Sequence, residues 1–151
     1  NPELVVETLQ EIIESFENTF EEFGLEKIKT VGDAIVAVAG LSSHATSPIK
    51  SCVDCAYKMR EIANSALTPW DLHVGIHSGS LVAGTVGTKT VQFDILGKTV
   101  NVAFNICDMS EANQILISSD AWMTARNEIK VKSVGIKRLK SGQDIEMLEC
   151  V

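Results

Sequence analysis

The sequence predicts an α/β sandwich in which helices and strands alternate along the chain. Apolar residues recur at helical spacing over residues 5–23, whereas apolar and polar residues alternate over residues 70–77, as in a strand with one buried face. The apolar fraction of 45% is that of an ordinary globular protein, and 151 residues suffice for one core. We therefore expect a single domain over residues 1–151.

The first element is a helix that begins at Asn1 and ends at Gly24. Asn is a preferred N-cap, Pro2 suits the first helical position, and Glu3 adds the acidic residue that is common in a first turn. Gly24 follows the last apolar residue of the helical pattern, as expected where a helix ends. The apolar face of this helix is expected to lie in the core.

A hairpin is predicted next, over residues 26–40. Gly32 and Asp33 form its two-residue turn, because glycine supplies the positive φ that a tight hairpin requires. The carboxylate of Asp33 therefore lies at the tip, where it is well placed for metal chemistry. Residues 34–39 carry no polar side chain, which predicts a central strand covered on both faces.

The later elements are predicted from periodicity and turn residues. Asp94 lies within an apolar strand, where a charged side chain requires a partner or a purpose. The helix after Gly97 carries Asn101 and Asn105 one turn apart on the same face. The series is a polar loop (42–47), a helix (48–65), a strand (70–77), a glycine-rich segment (75–87), a strand (91–96), a helix from about 98, a strand (115–118), a helical turn (121–126), a strand (128–134) and a closing hairpin (136–140 with 145–151).

Charge and hydropathy exclude several partners. The net charge is −7, and a nucleic-acid groove requires a surplus of Lys and Arg, so no nucleic-acid polymer is expected, although a small anion could bind locally. The longest apolar run, residues 34–41, is far shorter than the roughly 20 residues that cross a bilayer, so this segment is expected to make no membrane contact. We expect a cytoplasmic domain, free or within a larger sensor or membrane protein. Since the chain begins without Met, we expect a fragment.

Four cysteines raise the question of a metal or redox site. Cys52 and Cys55 have the spacing of half a zinc site, but no second Cys/His pair at ligand spacing is evident. Buried thiols in a reducing compartment are the preferred interpretation.

Three stretches together resemble the class III nucleotidyl cyclase catalytic domain. They are residues 26–34, residues 74–79 with 82–87, and residues 93–103. The resemblance covers nearly the whole chain and weakens over residues 42–70 and after Asn105. It implies a ferredoxin-like α+β core with a mainly antiparallel sheet and helices packed on it. It also implies a head-to-tail homodimer whose active sites lie between the subunits.

The reaction of that family is attack of a ribose 3′-hydroxyl on the α-phosphate, with loss of pyrophosphate. This chemistry requires metal ions, and the resemblance implies a two-metal site for Mg²⁺ or Mn²⁺. Asp33 matches one of the two metal-binding carboxylates. The other belongs to a first strand that would precede Asn1, and we expect that strand to be missing through truncation or disorder.

Lys29 and Asp94 match the two family positions that select the base. Adenine offers an acceptor at N1 and a donor at N6, so Lys29 can donate to the first and Asp94 can accept from the second. Family members that act on GTP carry an acid at the position of Lys29, so the resemblance implies ATP. Without Asp94 and Asp33, Lys29 would be interpreted as a solvated strand lysine.

The remaining site positions are on the helix after Gly97 and near the closing hairpin. Asn101 matches the family asparagine that positions the ribose. Asn105 stands where the family has an arginine that stabilises charge on the transferring phosphate, and such a loss costs roughly 10³-fold or more in rate. Lys98 or Arg126 could substitute for that cation. Lys140 lies near the position of the family lysine that binds the triphosphate.

Two functions are compatible with these residues. The first is an adenylyl cyclase that forms 3′,5′-cyclic AMP and pyrophosphate, and it is favoured by the intact Lys29, Asp33, Asp94 and Asn101. The second is a degenerate cyclase-homology domain with a nucleotide-binding or dimerisation role, and it is favoured by Asn105. A third, an unrelated ferredoxin-like binding domain, would require all three stretches to match by coincidence.

Overall fold

The computed structural model of the protein describes residues 1–41 and 47–151. The polar loop predicted over residues 42–47 lies outside the described residues except for Ser47. The helices are α1 (Pro2–Phe23), α2 (Pro48–Asn64), α3 (Lys98–Met109) and α4 (Ser119–Met123), and the strands are β1 (Glu26–Val31), β2 (Ala34–Val38), β3 (Val74–Ile76), β4 (Val82–Val86), β5 (Gln92–Leu96), β6 (Ile115–Ser118), β7 (Val131–Arg138) and β8 (Asp144–Cys150).

The described strands form one four-stranded sheet and two hairpins. The sheet has the order β3-β6-β8-β7, in which β3 is parallel to β6 and the other neighbours are antiparallel. The hairpins β1–β2 and β4–β5 are both antiparallel. An α+β architecture with mainly antiparallel strands therefore confirms the predicted fold class.

Helices cover both faces of the four-stranded sheet. All four residues of β6 are buried, and alternate side chains of a strand point to opposite faces. Ile115 and Ile117 pack with apolar residues of α2, whereas Leu116 packs with Val102 and Ile106 of α3. A third cluster joins α1 to α2. The sheet between α2 and α3 is thus the centre of the sandwich.

Helix α1 has the ends that the sequence predicts. The Asn1 side chain accepts a hydrogen bond from the Glu3 backbone N–H at 3.0 Å, which satisfies one free donor of the first turn. Gly24 ends the helix in the left-handed conformation with φ of 76°. Ile12, Phe16 and Phe20 are buried, so the apolar face lies in the core as expected.

No helix of residues 1–41 and 47–151 has the length and apolar character needed to cross a bilayer.

The prediction for residues 34–39 is wrong in its details. Strand β2 is half-buried at every position rather than fully covered, and β1 is its partner among the described strands. An all-apolar sequence predicts burial, but the actual coverage depends on neighbouring elements that the local pattern does not specify. The described residues therefore make β2 one arm of a two-stranded hairpin.

Several other boundaries differ from the predictions. Only residues 74–76 of the predicted strand 70–77 pair in the sheet, because the Leu72 N–H and C=O bond to Asn113 instead. Strand β4 lies within the segment that the sequence predicts only as glycine-rich. Residues 128–134 and 136–140 are not two strands, since β7 runs continuously through a bulge before Gly135. The helical turn predicted over 121–126 spans Ser119–Met123.

Gly75 sets the distance between β3 and α3. A Cβ built at Gly75 would lie 2.7 Å from the Ala103 carbonyl oxygen and still closer to the Cys107 backbone nitrogen. These are backbone atoms, so no flexible side chain can move aside. A glycine at this position therefore fixes how closely the helix that carries Asn101 and Asn105 approaches the sheet.

We expect Gly75→Ala to lower the free energy of unfolding by about 3 kcal/mol, because the added methyl group overpacks a helix–strand contact. Urea denaturation monitored by circular dichroism measures this change. Gly84→Ala is the matched control, since a Cβ there meets nothing within 4 Å. Equal destabilisation by the two substitutions would contradict the close-packing argument.

The four cysteines are free, and Cys55 and Cys150 are buried. Burial raises the pKa of the Cys55 thiol to about 12 and that of Cys150 to about 11. Both values favour the protonated thiol, which is the less reactive form.

We therefore expect both thiols to resist iodoacetamide at pH 7–9, with reactivity rising only as the pH approaches 11. Mass spectrometry of the labelled native protein measures this, and the urea-unfolded protein is the control in which both residues should react readily. Native labelling at pH 8 as fast as in urea would contradict the raised pKa values.

Candidate active site

Asp33 occupies the tip of the β1–β2 hairpin. Val31 pairs with Ala34, so Gly32 and Asp33 form a two-residue turn, as predicted. Gly32 has φ of 60°, and Asp33 is not among the residues with positive φ, which fits a turn that requires glycine at its first position. The Asp33 carboxylate is exposed. The pKa of the Cys107 thiol on α3 is raised mainly by burial, and the negative charge of Asp33 makes a smaller contribution.

A bulge in β1 separates the roles of two lysines. The register shifts between Lys27 and Lys29, so the strand does not keep its regular alternation there. The Lys27 ammonium bonds to Glu17 of α1 at 2.7 Å. The Lys29 ammonium instead lies 2.9 Å from Asp94 Oδ1 and 3.1 Å from Oδ2. The bulge therefore accompanies a change in side-chain direction that brings Lys29 to Asp94.

Asp94 is held as an ionised carboxylate. The Lys29 ammonium lowers its pKa most, and the hydrogen bond from the Ile95 backbone N–H at 2.8 Å lowers it further. Because the pKa is below its ordinary value of 3.8, the carboxylate is charged at neutral pH, and its ion pair is lost only as the pH falls through that lowered pKa. The partner that the sequence requires for Asp94 is thus Lys29.

A cavity of about 770 Å³ lies between α3 and the loop that joins β7 to β8. Asn101, Asn105 and Lys140 all line it, so three predicted site residues come together here. The other lining residues are Gly97, Lys98, Val102, Phe104, Asp108, Leu139 and Ser141. Lys98, which could replace the missing arginine, lines the cavity, whereas Arg126 is not one of its lining residues.

Asn105 connects the two walls of this cavity. Its Oδ1 accepts a hydrogen bond from the Lys140 backbone N–H at 3.0 Å, and its Nδ2 donates to the Asn101 carbonyl oxygen at 2.7 Å. The Lys140 ammonium lies 3.8 Å from Asp108 Oδ2, and both side chains are largely exposed. This ion pair is therefore weak, and the ammonium can leave it for another anion.

The structure adds Asp108 to the predicted site residues. Asn105 follows Asn101 by four residues and Asp108 follows Asn105 by three, so all three lie on one face of α3, which is a signal that sequence analysis could have used. The structure therefore makes two groups, Lys29 with Asp94 and Asn101 with Asn105 and Lys140. They are linked through Gly97, where β5 leads into α3.

Asp33 is the metal-binding carboxylate that the sequence predicts. Within the part of the chain that the structure describes, no three His, Cys, Asp or Glu residues are grouped as a metal cage would require. Mg²⁺ usually keeps several waters and binds one or two carboxylates together with substrate phosphates. Asp33, which is exposed at the hairpin tip, fits the role of one such carboxylate.

Comparison with known proteins defines the family. The family model described as the adenylate and guanylate cyclase catalytic domain matches residues 1–149. The chain is 30% identical over 149 residues to soluble guanylate cyclase gcy-31 of Caenorhabditis elegans, covering 95% of this chain and 21% of that protein. It is 28% identical over 149 residues to an adenylate cyclase of Mycobacterium bovis, covering 91% of this chain and 34% of that protein.

The fold agrees with this match. The guanylate cyclase domain of RhGC from Catenaria anguillulae, solved in complex with GTP, aligns with a TM-score of 0.89 at 21% identity and covers 95% of this chain and 81% of that one. The chain spans about a fifth of the length of gcy-31 and about a third of the length of the Mycobacterium bovis protein. The first relative is named as a guanylate cyclase and the second as an adenylate cyclase. Since the family model matches nearly every residue, the chain belongs to the adenylate and guanylate cyclase catalytic domain family, the class III cyclases.

Proposed function

We propose that residues 1–151 form the catalytic domain of an adenylyl cyclase, which converts ATP into 3′,5′-cyclic AMP and pyrophosphate as a homodimer. The observation that carries this proposal is the contact between Lys29 and Asp94 at 2.9 Å. It places a hydrogen-bond donor and an acceptor side by side and partly exposed, with 31% and 22% of their side chains accessible.

This pair is complementary to adenine. The Lys29 ammonium has three donors and no acceptor, and the Asp94 carboxylate only accepts. Adenine N1 accepts and adenine N6 donates, so the Lys29 ammonium and the Asp94 carboxylate would each have a hydrogen-bond partner. Guanine presents a donor at N1 and an acceptor at O6, so it would set donor against donor and carboxylate against carbonyl oxygen. Buried groups left unpaired in this way are what allows a site to reject an analogue.

The cavity beside α3 supports binding of the ribose and phosphates. Asn101 lies at the cavity wall and would orient the ribose, so that the 3′-hydroxyl is held near the α-phosphate. Lys140 would contact the triphosphate after leaving Asp108, whose exposed carboxylate holds it only at 3.8 Å. Lys98 lines the same cavity and is the remaining candidate cation for the position of the family arginine.

Asp33 would hold a divalent ion, Mg²⁺ or Mn²⁺. When bound, such an ion neutralises phosphate charge and lowers the pKa of the attacking hydroxyl. Asp33 is four residues from Lys29, yet it lies at the hairpin tip rather than beside the Lys29–Asp94 pair. We therefore propose that Asp33 serves one active site of the dimer while Lys29 serves the other. The second metal carboxylate of the family has no counterpart in residues 1–151.

A second copy of the chain is the proposed partner. Every residue of β4 is exposed, and the β4–β5 hairpin carries the exposed apolar side chains of Val82, Phe93 and Leu96. Their accessible fractions are 69%, 45% and 51%, which is a costly surface for a monomer in water. A head-to-tail homodimer would cover this hairpin and complete both sites.

The free cysteines fit a reducing, cytoplasmic compartment.

The direct test uses the full-length protein with ATP and with GTP, each in the presence of Mg²⁺ or Mn²⁺. We expect cyclic AMP from ATP and much less cyclic GMP from GTP, measured by mass spectrometry of the products. Asp33→Ala should abolish product formation. Preference for GTP would overturn the specificity, and no product from either nucleotide would overturn the activity.

Asn105 favours a second candidate, a cyclase-homology domain that binds nucleotide or dimerises with little turnover. A neutral amide cannot stabilise the charge that an arginine would stabilise on the transferring phosphate. If this residue limits the rate, we expect Asn105→Arg to raise kcat by at least about tenfold. Steady-state kinetics measures the change, with Asn105→Lys as a control for charge without the guanidinium. An unchanged or lower kcat would mean that the amide is not the limiting feature.

A further inference from the structure

Asn105 of α3 hydrogen-bonds through its side chain to the backbone of the β7–β8 loop. The loop has two anchors on α3 near Lys140. Leu139 is 4% exposed and packs with Val102 and Ile106, and the Lys140 backbone N–H donates to Asn105 Oδ1. The first anchor holds the apolar residue before the lysine, and the second fixes the lysine backbone itself.

The orientation of the Asn105 amide is determined by its two partners. Oδ1 receives the Lys140 N–H, and Nδ2 donates to the Asn101 carbonyl oxygen at 2.7 Å. Turning the amide over would set its NH₂ group against a backbone N–H and its oxygen against a backbone carbonyl. Both contacts would then be repulsive, so the observed orientation holds the loop at a defined distance from α3.

The Lys140 side chain provides little positioning of its own. Its side chain is 79% exposed, and its ammonium lies 3.8 Å from Asp108, which is a weak ion pair in water. The direction in which Lys140 leaves the loop is therefore set by its backbone. Because Asn101 is on the same face of α3, the bond to Asn105 keeps Lys140 and Asn101 at the walls of one cavity.

We propose that Asn105 is a positioning residue, whose side-chain oxygen fixes the Lys140 backbone so that the Lys140 ammonium faces the triphosphate of a nucleotide in this cavity. The identity of the triphosphate ligand rests on the proposed function. An arginine could not perform this role, since a guanidinium has donors only and cannot accept from the Lys140 N–H. Asn105 is then a functional alternative to arginine rather than a loss.

The first test is hydrogen exchange of the Lys140 backbone amide, measured by NMR on the intact protein. Asn105→Leu keeps the size and removes the acceptor, and we expect exchange about three- to tenfold faster. Asn105→Asp keeps an acceptor for the Lys140 N–H but loses the donor to the Asn101 carbonyl, and we expect slower exchange than in Asn105→Leu. Asp108→Asn is the matched control, because it removes the partner of the ammonium and leaves the amide bonded. Unchanged exchange in Asn105→Leu, or equal acceleration in Asp108→Asn, would overturn the proposal.

The second test is a double-mutant cycle on the KM for ATP. In the parent, Asn105→Leu should raise KM by about three- to tenfold, but in a Lys140→Met background it should add less than about twofold, since its effect passes through Lys140. Equal effects in both backgrounds would overturn the positioning role. The exchange measurement does not depend on turnover, so a protein without cyclase activity would contradict the proposed function and leave the exchange result to decide the role of Asn105.

Discussion

Mixing two inactive variants, Asp33→Ala and Asn101→Ala, is expected to restore cyclase activity. Each substitution alone should lower kcat/KM by at least about 10²-fold, because one would remove the proposed metal ligand and the other the residue proposed to position the ribose. In the proposed head-to-tail dimer, Asp33 of one subunit and Asn101 of the other would belong to the same site. A mixed dimer would therefore carry one site with both substitutions and one site with neither.

The expected recovery follows from symmetry. If subunits combine at random, about half of the dimers are mixed and one of their two sites is intact, so activity should return to about a quarter of the parent value. Cyclic AMP formation after co-expression of differently tagged subunits measures it, and the tags confirm that mixed dimers form.

A second mixture is the matched control. Asn101 and Lys140 line the same cavity of the same chain, so Asn101→Ala mixed with Lys140→Ala damages both sites of a mixed dimer. No recovery is expected. Recovery in this control, or none in the first mixture although mixed dimers are present, would contradict shared active sites.

Local signals are sufficient for the ends of α1 and for the turn of the first hairpin. The ends of α1 follow from Asn1 and Gly24, whose roles depend only on adjacent backbone groups. The turn at Gly32 is equally local, because it requires a positive φ. Elements that depend on distant partners were less predictable. Strand β4 exists because it pairs with β5, and its exposed valines and glycine gave no period of their own.

Gly135 illustrates a misleading local signal. It looks like a breaker between two strands, but with φ of 93° it follows a bulge inside a single strand. A glycine in a strand pattern is compatible with either outcome, and only the ladder with β8 decides between them.

In the candidate site, too, local sequence signals identify some residues but not the contacts that depend on distant parts of the chain. Asp94 could be recognised as a charge that needs a partner, and the resemblance supplied Lys29, which is 65 residues away along the chain. The bond between Asn105 and Lys140 was not predictable, because it depends on how the loop after β7 returns to α3. From the sequence alone, the absence of the family arginine indicates loss of function. In the structure, the Asn105 side chain that stands in its place bonds to the Lys140 N–H and to the Asn101 carbonyl oxygen.

Exchanging the proposed base-selecting pair, Lys29→Glu with Asp94→Cys, is expected to reverse the nucleotide preference. A carboxylate at position 29 accepts from guanine N1–H, and removal of the Asp94 carboxylate relieves its repulsion from O6. We expect the ratio of kcat/KM for ATP to that for GTP to fall by about 10²-fold or more. Steady-state kinetics with both nucleotides measures this ratio.

The chain offers a matched control on the same strand. Lys27 is two residues before Lys29, but its ammonium bonds to Glu17 of α1 rather than to Asp94. Lys27→Glu makes the same change of charge as Lys29→Glu, which exceeds the net change of the paired substitutions because Asp94→Cys removes a negative charge, and it should leave the ratio within about twofold. A shift of equal size in this control would mean that net charge, not contact with the base, selects the nucleotide.

The two substitutions have to be made together. Lys29→Glu alone would replace the 2.9 Å ion pair with two neighbouring carboxylates, and like charges at such a distance favour protonation of one of them. That pair would suit neither base, because it keeps the Asp94 carboxylate against guanine O6 and loses the donor to adenine N1. The single variant should therefore be poor with both nucleotides, and the second substitution should restore turnover with GTP only. Recovery with ATP instead would contradict the assignment of Asp94 as the acceptor from adenine N6.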